Sequence, residues 1–382
     1  MVFVALSNFG LLESYLSLFL THTGISVASV SFLFMVYQAC KLVFEIPTGF
    51  ISDYFGRRQS GRIGLLGLAA SYALLILPLD FPGLVASFVV KGVAYTCISG
   101  SFEAIFVETV PQSELARYNT IERLVWYTSL AVSTVVGGLM ISAGFYWQTA
   151  AADIVVTLLT LAVTWNTREP KAAPTDKSAD TGISACWKDI TGNPTLLLFL
   201  LMDLSIAVAF VGVEDYFSLF LTQLGFDESL AGLFISAELI LSAVIGLLIS
   251  RVHRSKNQLG LIIAGPAAKI IATALMFVPG LPPICAPVLY LAQDIVYAVY
   301  APVKYAAFQA EIPPRFRSTV LSVQSQAVSM GSILFFGASA TVLSGVELQG
   351  QLLCALLFSF VVTLAASCTI VRRLNARRIA DE

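Results

Sequence analysis

The sequence predicts an all-α integral membrane protein of twelve transmembrane helices, arranged as two six-helix bundles. Three observations carry this prediction. Of 382 residues, 57% are hydrophobic and 12% charged, where a soluble protein carries about 25% charged residues, and mean hydropathy is +0.83. Lys and Arg sort to alternate connections between the apolar runs. The first half of the chain returns, in weakened form, in the second. Such a composition excludes a cytosolic enzyme, a secreted disulfide scaffold, a nucleic-acid binder and a disordered chain, because a soluble fold needs a polar exterior. The net charge of -2 points to no strongly charged partner.

Each span is an apolar run near the 20 residues that cross a bilayer. The first, 3–21, begins almost at Met1 and carries Glu13 in its middle. It lacks the basic start and small-residue cleavage site of a secretory leader. Spans 28–51 and 62–79 flank a loop with Arg57, Arg58 and Arg62. Spans 82–110 and 118–143 flank Arg117, and 146–165 closes the first bundle. The connector 166–194 is polar and turn-rich, with Pro170, Pro174 and Gly182 beside Arg168, Lys171, Lys177 and Lys188. Spans 195–223 and 228–250 follow, then Arg251, Arg254 and Lys256, then 259–279 and 284–312. Arg315 and Arg317 precede 316–344 and 347–371, and the tail holds Arg372, Arg373, Arg377 and Arg378. Seventeen of the 22 Lys and Arg thus fall on one side, which short basic loops mark as cytoplasmic. Both termini are predicted inside. The organisation read is a bundle over 1–165, a cytoplasmic linker over 166–194, a second bundle over 195–371 and a tail over 372–382.

Leu12-Glu13-Ser14-Tyr15 through Leu18-Phe19-Leu20-Thr21 matches Val213-Glu214-Asp215-Tyr216 through Leu219-Phe220-Leu221-Thr222 at an offset of 201. At an offset of 202, Tyr95 meets Tyr297 and Pro111 meets Pro313. Six helices per copy give both copies one orientation, a parallel repeat about an axis along the membrane normal.

After span 2 comes Gly49-Phe50-Ile51-Ser52-Asp53-Tyr54-Phe55-Gly56-Arg57-Arg58. This resembles the GxxxDxxGR[RK] loop of the major facilitator superfamily, in the same loop 2–3. The preceding Glu45-Ile46-Pro47-Thr48-Gly49, and Ser99-Gly100-Ser101-Phe102-Glu103-Ala104 in span 4, resemble a branch of it. The resemblance implies the superfamily fold, secondary transport, and a latch on the cytoplasmic side made of Gly49, Asp53, Gly56, Arg57 and Arg58, with Arg117 as partner. Gly56 suits a turn closed to other residues. The arginines also read simply as topology signals. The drug/proton antiporters of the family carry GPxxGG in span 5. Here the stretch is Ser133-Thr134-Val135-Val136-Gly137-Gly138, without the Gly-Pro pair, and the arginine of their span 4 is replaced by Lys91.

Ionisable groups inside a membrane cost several kcal/mol, so each is a functional hypothesis. Lys41 and Glu45, four apart, share a helix face and read as a neutralising ion pair. Glu108, Glu122, Arg123 and Asp203 are placed near the cytoplasmic ends. Asp153 and Lys269 fall on spans 6 and 9, which the resemblance makes peripheral, so they read as structural. The resemblance makes spans 1, 4, 7 and 10 line the cavity. There the candidate substrate and proton site is Glu13, Tyr15, Lys91, Tyr95, Glu103, Glu214, Asp215, Asp294, Tyr297 and Lys304. Asp294, Tyr297 and Lys304 form one helical stripe, which Pro302 is expected to break or bend. Glu13 and Glu103 are the expected proton carriers. The tyrosines read equally as cation-stacking and as packing groups.

Five acids against two bases in this set suit a cation or zwitterion. The expected function is a proton-coupled transporter working by alternating access and exporting such a solute. An importer of an anionic or sugar-like nutrient, with Lys91 and Lys304 as clamp, and a non-transporting receptor of the same fold are the alternatives. No cofactor besides the coupling proton is expected. No metal site is expected, since two histidines and no CxxC spacing offer none, and no GxxxxGK[ST] occurs. The expected partners are a small-molecule substrate and the lipid bilayer, with no nucleic acid, for a monomer in a prokaryotic inner membrane.

Overall fold

The computed structural model describes residues 2–78, 80–109, 115–165, 183–252, 259–312 and 317–381. Within its helices, the side chains at 46, 49–51, 53–55, 100, 102–109, 115–117, 119–120, 183–187, 246–252, 317–318 and 378–381 lie outside that description.

Every predicted span is helical. Among the described residues span 1 is the one that is interrupted, as α1 (Val2–Ser7), a 3-10 turn (Glu13–Tyr15) and α2 (Leu16–His22). The remaining first-half spans are α3 (Val27–Phe55), α4 (Arg57–Ile76), α5 (Phe81–Thr109), α6 (Leu115–Ser142) and α7 (Tyr146–Thr164). The linker contains α8 (Ile183–Gly192). The second half comprises α9 (Pro194–Gln223), α10 (Glu228–Val252), α11 (Leu259–Leu275), α12 (Cys285–Ala310), α13 (Arg317–Ala340) and α14 (Leu348–Asp381). Among the described residues, nine helices are long and apolar enough to cross a membrane, and Leu259–Leu275 is apolar but shorter.

Four local features differ from the sequence reading. The break in span 1 falls at Asn8-Phe9-Gly10, where the Asn8 amide donates to the Val4 carbonyl at 2.8 Å and glycine disfavours helix. The connector 166–194 is not wholly irregular, since it carries α8. Pro302 does not break its helix, because α12 runs through it. The tail continues α14 to Asp381, and Arg377 pairs with Glu311 at 2.8 Å.

The repeat is visible in the turns. Gly24 and Gly225, 201 apart, have φ +88° and +87° and end α2 and α9. Ile25 N–H donates to Leu20 O at 3.2 Å, and Phe226 N–H to Leu221 O at 3.1 Å. The next helix is capped in both copies. Ser26 Oγ accepts from Ser29 N–H at 3.2 Å, and Asp227 Oδ1 from Ser229 N–H at 2.8 Å. The Ser229 hydroxyl and N–H hold the Asp227 carboxyl below the usual carboxylate range. The stabilisation of a lowered carboxyl is present at neutral pH and lost as pH falls through that lowered value. Asp227→Ala is therefore expected to cost about 1 kcal/mol at neutral pH and almost nothing in acid, which paired thermal melts would check.

The chain divides into two compact units. The first comprises Met1–Ala173, Glu214–Ile240 and Phe336–Ser344, and so gathers segments of both sequence halves. The second comprises Pro174–Val213, Leu241–Phe335 and Gly345–Glu382. In the first, α4 packs on α5 and α7, and α3 on α5. In the second, α11 packs on α12 and α14 around an apolar cluster that includes Phe199, Met202, Ile262, Phe308 and Ile370.

Candidate functional site

The first unit holds a carboxylate, an ammonium and aromatic rings in one cluster. The 3-10 turn presents Glu13, α5 presents Lys91 and α4 presents Tyr72. Lys91 Nζ lies 2.7 Å from Glu13 Oε1 and 2.8 Å from Oε2, and the Tyr72 hydroxyl donates to Oε1. The Lys91 side chain is 6% exposed, whereas that of Glu13 is 43% exposed. The pair is thus built with its cation sealed and its anion open.

Close helix packing places Lys91. A Cβ on the neighbouring Gly92 would stand 2.9 Å from Tyr37 O and 2.6 Å from Cys40 Cβ, so only glycine lets α5 press on α3 there. Lys91 Nζ then lies 5.6 Å from the Tyr37 ring centre and 5.5 Å from that of Tyr72. Lys41 Nζ lies over Tyr95 at 4.5 Å and over Tyr37 at 5.3 Å. Lys41 and Glu45, expected to pair, attract each other across one helical turn without a contact ion pair among the described residues, and the Lys41 ammonium lies over ring faces.

Tyr15 and Tyr216 are packing groups in this structure, each fully buried. The Tyr15 hydroxyl donates to Thr134 O at 2.9 Å, and the Tyr216 hydroxyl shares a 2.7 Å bond with Ser31. The repeat-equivalent segments bond reciprocally. Ser17 Oγ donates to Asp215 O at 2.5 Å and Ser218 Oγ to Ser14 O at 2.8 Å, both pairs related by the offset of 201. Asp215 is half-buried beside this contact, while Glu214 and Tyr95 are exposed.

The second unit holds two further couples. Lys304 pairs with Asp203, whose other oxygen accepts from Gln324 Nε2 at 2.6 Å. Asp203, which the sequence places near a cytoplasmic helix end, is buried. Asp294 accepts from Ser242 Oγ at 2.9 Å and Gln293 Nε2 at 3.2 Å, with Lys269 Nζ at 3.7 Å. That ammonium also faces Phe210 at 4.1 Å and Tyr297 at 4.4 Å. The stripe on α12 is therefore split, with Asp294 and Tyr297 in one couple and Lys304 in the other. Lys304→Ala leaves Asp203 buried without its cation and is expected to cost about 3–5 kcal/mol. Asp203→Asn/Lys304→Met, which leaves no charge, should recover most of it, as thermal melts in detergent would show.

The acidic surplus counted from sequence shrinks accordingly. Glu13, Asp203 and Asp294 each have a lysine, and Lys41 and Lys269 join the basic side. Sequence reasoning passed over Tyr37, Tyr72, Ser242, Gln293 and Gln324, because a scan for ionisable residues skips neutral partners. Lys269 lies on span 9, which the resemblance makes peripheral.

At the loop after α3, Gly56 has φ +93°, a turn that favours glycine. Arg58 Nε donates to Thr164 O at 3.2 Å and its guanidinium also bonds Trp165 O. Arg62 Nη2 reaches Thr164 O at 3.0 Å and stacks over the Trp165 ring at 4.5 Å. These two arginines cap the carbonyl end of α7, where cations are favoured. Arg57 is half-buried. Gly49, Asp53, Glu103 and Arg117 lie outside the residues whose side chains are described.

A family model described as Major Facilitator Superfamily matches residues 1–373. YxaM of Bacillus subtilis (strain 168), an uncharacterized MFS-type transporter, is 22% identical over 318 residues, 78% of this chain and 76% of that protein. Among solved structures, a D-xylose-proton symporter superposes with TM-score 0.76 at 14% identity, covering 96% of this chain and 94% of that one. The nucleoside transporter NupG gives 0.72 at 14% identity over 95% and 96%. A bacterial homologue of the human lysosomal transporter Spinster gives 0.72 at 16% identity over 97% and 94%. These likenesses carry the fold. With a family model spanning nearly the whole chain, this multi-pass, all-helical membrane protein belongs to the major facilitator superfamily and is a transporter, not an enzyme.

Proposed function

We propose that the protein is a proton-coupled antiporter of a small zwitterionic or cationic organic solute, working by alternating access. The observation that supports this reading is the Glu13–Lys91–Tyr72 cluster. An open carboxylate, held in place by a sealed ammonium, offers a fixed negative charge to the ammonium end of a cationic or zwitterionic solute. A proton and a substrate ammonium compete for the same Glu13 oxygens, so loading one favours release of the other. That competition is the logic of exchange. Tyr37, Tyr72 and Tyr95 supply ring faces for the cationic end. Lys304, engaged by Asp203 and Gln324, is not disposed to clamp an anion, which disfavours the importer alternative. The arginine-rich loops support a topology with both termini cytoplasmic; the proposal sets the protein in a prokaryotic inner membrane, with Glu103 as a second carrier and Asp53 and Arg117 in the latch. The functional unit proposed is a monomer.

The test is thermal stabilisation of purified protein by tetraethylammonium, glycine betaine and benzoate at two pH values, since a ligand of the folded state raises its melting temperature. Stabilisation by the first two, stronger at the higher pH and lost in Glu13→Gln, is expected. Stabilisation by benzoate, lost in Lys91→Gln, would replace this reading with the anion importer.

A further inference from the structure

The break in span 1 falls between α1 and the 3-10 turn, inside a run that the sequence predicts to cross the membrane, where backbone groups need internal partners. Two N–H groups at its end find them in one side chain. Leu11 N–H donates to Asp153 Oδ1 at 2.8 Å, and Leu12 N–H donates to Asp153 Oδ2 at 2.9 Å. Asp153 sits on α7 and is 2% exposed. Both of its oxygens are engaged at the residues that immediately precede Glu13. The opposite side of the same segment rests on α6. A Cβ on Gly137 would stand 2.1 Å from Leu11 O, so the carbonyl of Leu11 lies against bare backbone there. One residue further, Gly138 receives the Tyr15 hydroxyl, 2.4 Å from where its Cβ would be. A helix that continued through residues 8–12 would satisfy these N–H groups itself and would leave the Asp153 carboxylate buried without them.

From this geometry we propose that Asp153 and Gly137 are positioning residues. They grip the broken segment of span 1 from α7 and α6, and thereby set the carboxylate of Glu13 against Lys91 and Tyr72. Asp153 touches no transported solute in this scheme and acts through two peptide N–H groups. Two residues that look peripheral in sequence, a carboxylate on span 6 and a glycine of a degraded motif on span 5, converge on one backbone turn. The proposal rests on Glu13 being the working carboxylate of the proposed function, yet its test needs no transported solute.

The experiment is the rate at which N,N′-dicyclohexylcarbodiimide labels Glu13 in the purified full-length protein, read by mass spectrometry. The reagent attacks a protonated carboxyl, so a carboxylate held by Lys91 and Tyr72 reacts slowly and a displaced one reacts faster. Asp153→Asn keeps one acceptor and sets an NH2 group against the other N–H. Gly137→Ala pushes on Leu11 O from the opposite side. In both, labelling of Glu13 is expected to rise about tenfold, which corresponds to about 1.4 kcal/mol of lost pairing. Melting temperatures are expected to stay within a few degrees. Arg377→Gln, which removes an exposed partner of Glu311 in the second unit, is the control and should leave the Glu13 rate unchanged. Wild-type labelling in either folded variant overturns the proposal and leaves Asp153 a structural cap. If one variant does not fold, the other decides. Faster labelling in a protein that binds none of the three test solutes would sink the proposed substrate class and keep the positioning role.

Discussion

Glu13→Gln is expected to abolish proton-driven exchange while leaving a folded protein. The glutamine can still accept from Tyr72 and Lys91, so shape and two hydrogen bonds survive. What is lost is the negative charge, and with it the group for which, in the proposed exchange, a proton and a substrate ammonium compete. Lys91, 6% exposed and facing ring centres at 5.5 and 5.6 Å, then keeps its charge without a counter-charge. Removing one member of a buried pair costs about 3–5 kcal/mol, and the openness of Glu13 to water places this site at the lower end. Glu13→Ala, which also removes the hydrogen bonds, is expected to be less stable than Glu13→Gln. Glu13→Gln/Lys91→Met should melt higher than Glu13→Gln, yet remain inactive. The measurement is solute exchange in proteoliposomes under an imposed pH gradient, beside thermal melts of each variant. Undiminished exchange by Glu13→Gln would remove this carboxylate from the mechanism.

Gly232→Ala is expected to reduce transport at least about tenfold, the effect of roughly 1.4 kcal/mol at the right step. An added Cβ would stand 2.3 Å from the Tyr15 hydroxyl and 2.7 Å from Thr134 O. Neither can yield easily. Tyr15 is fully buried with its hydroxyl bonded to that same carbonyl, and the carbonyl belongs to α6. Overpacking of this kind costs about 1–3 kcal/mol, and here it falls on the seating of α10 against α6 and Tyr15. That seating is reinforced by Ser236 Oγ donating to Ala131 O at 2.7 Å. In the proposed alternating-access cycle this contact forms and releases, so a variant that cannot form it should accumulate with the face opened. Ser14→Cys in the Gly232→Ala background should then react faster with a membrane-impermeant maleimide. Tyr15→Phe deletes the atom that clashes, so Tyr15→Phe/Gly232→Ala should regain part of the activity. Normal transport by Gly232→Ala, or no rescue by Tyr15→Phe, would show that this contact does not govern the cycle.

Much of the architecture is legible in the chain because it depends on the solvent. Lipid demands long apolar helices, and the twelve runs, their boundaries within several residues and the repeat at 201 follow from that demand and from the sorting of Lys and Arg. The turns at Gly24 and Gly225, and the caps at Ser26 and Asp227, show the repeat carried down to single hydrogen bonds. The exceptions are also physical. Asn8 and Gly10 do not announce a break by themselves, since glycine is common in membrane helices. The break holds because Asp153, 142 and 141 positions away, receives the two N–H groups.

The candidate site divides along the same line. That Glu13, Lys91, Asp294 and Lys304 lie within spans, where each charge requires a reason, is a property of sequence alone. Which charge meets which was decided only by tertiary packing. Glu13 meets Lys91 across 78 positions, and Asp203 meets Lys304 across 101. Lys41 lies over the ring of Tyr95, which α5 brings to it, as well as over that of Tyr37 on its own helix. A helical period places residues on a face, but it does not state what the next helix brings to that face. Sequence by itself therefore determined the class, the span count and the inventory of buried charge. The tertiary structure decided the pairing, because a buried charge is settled by the nearest group in space, and in a bundle that group usually belongs to another helix.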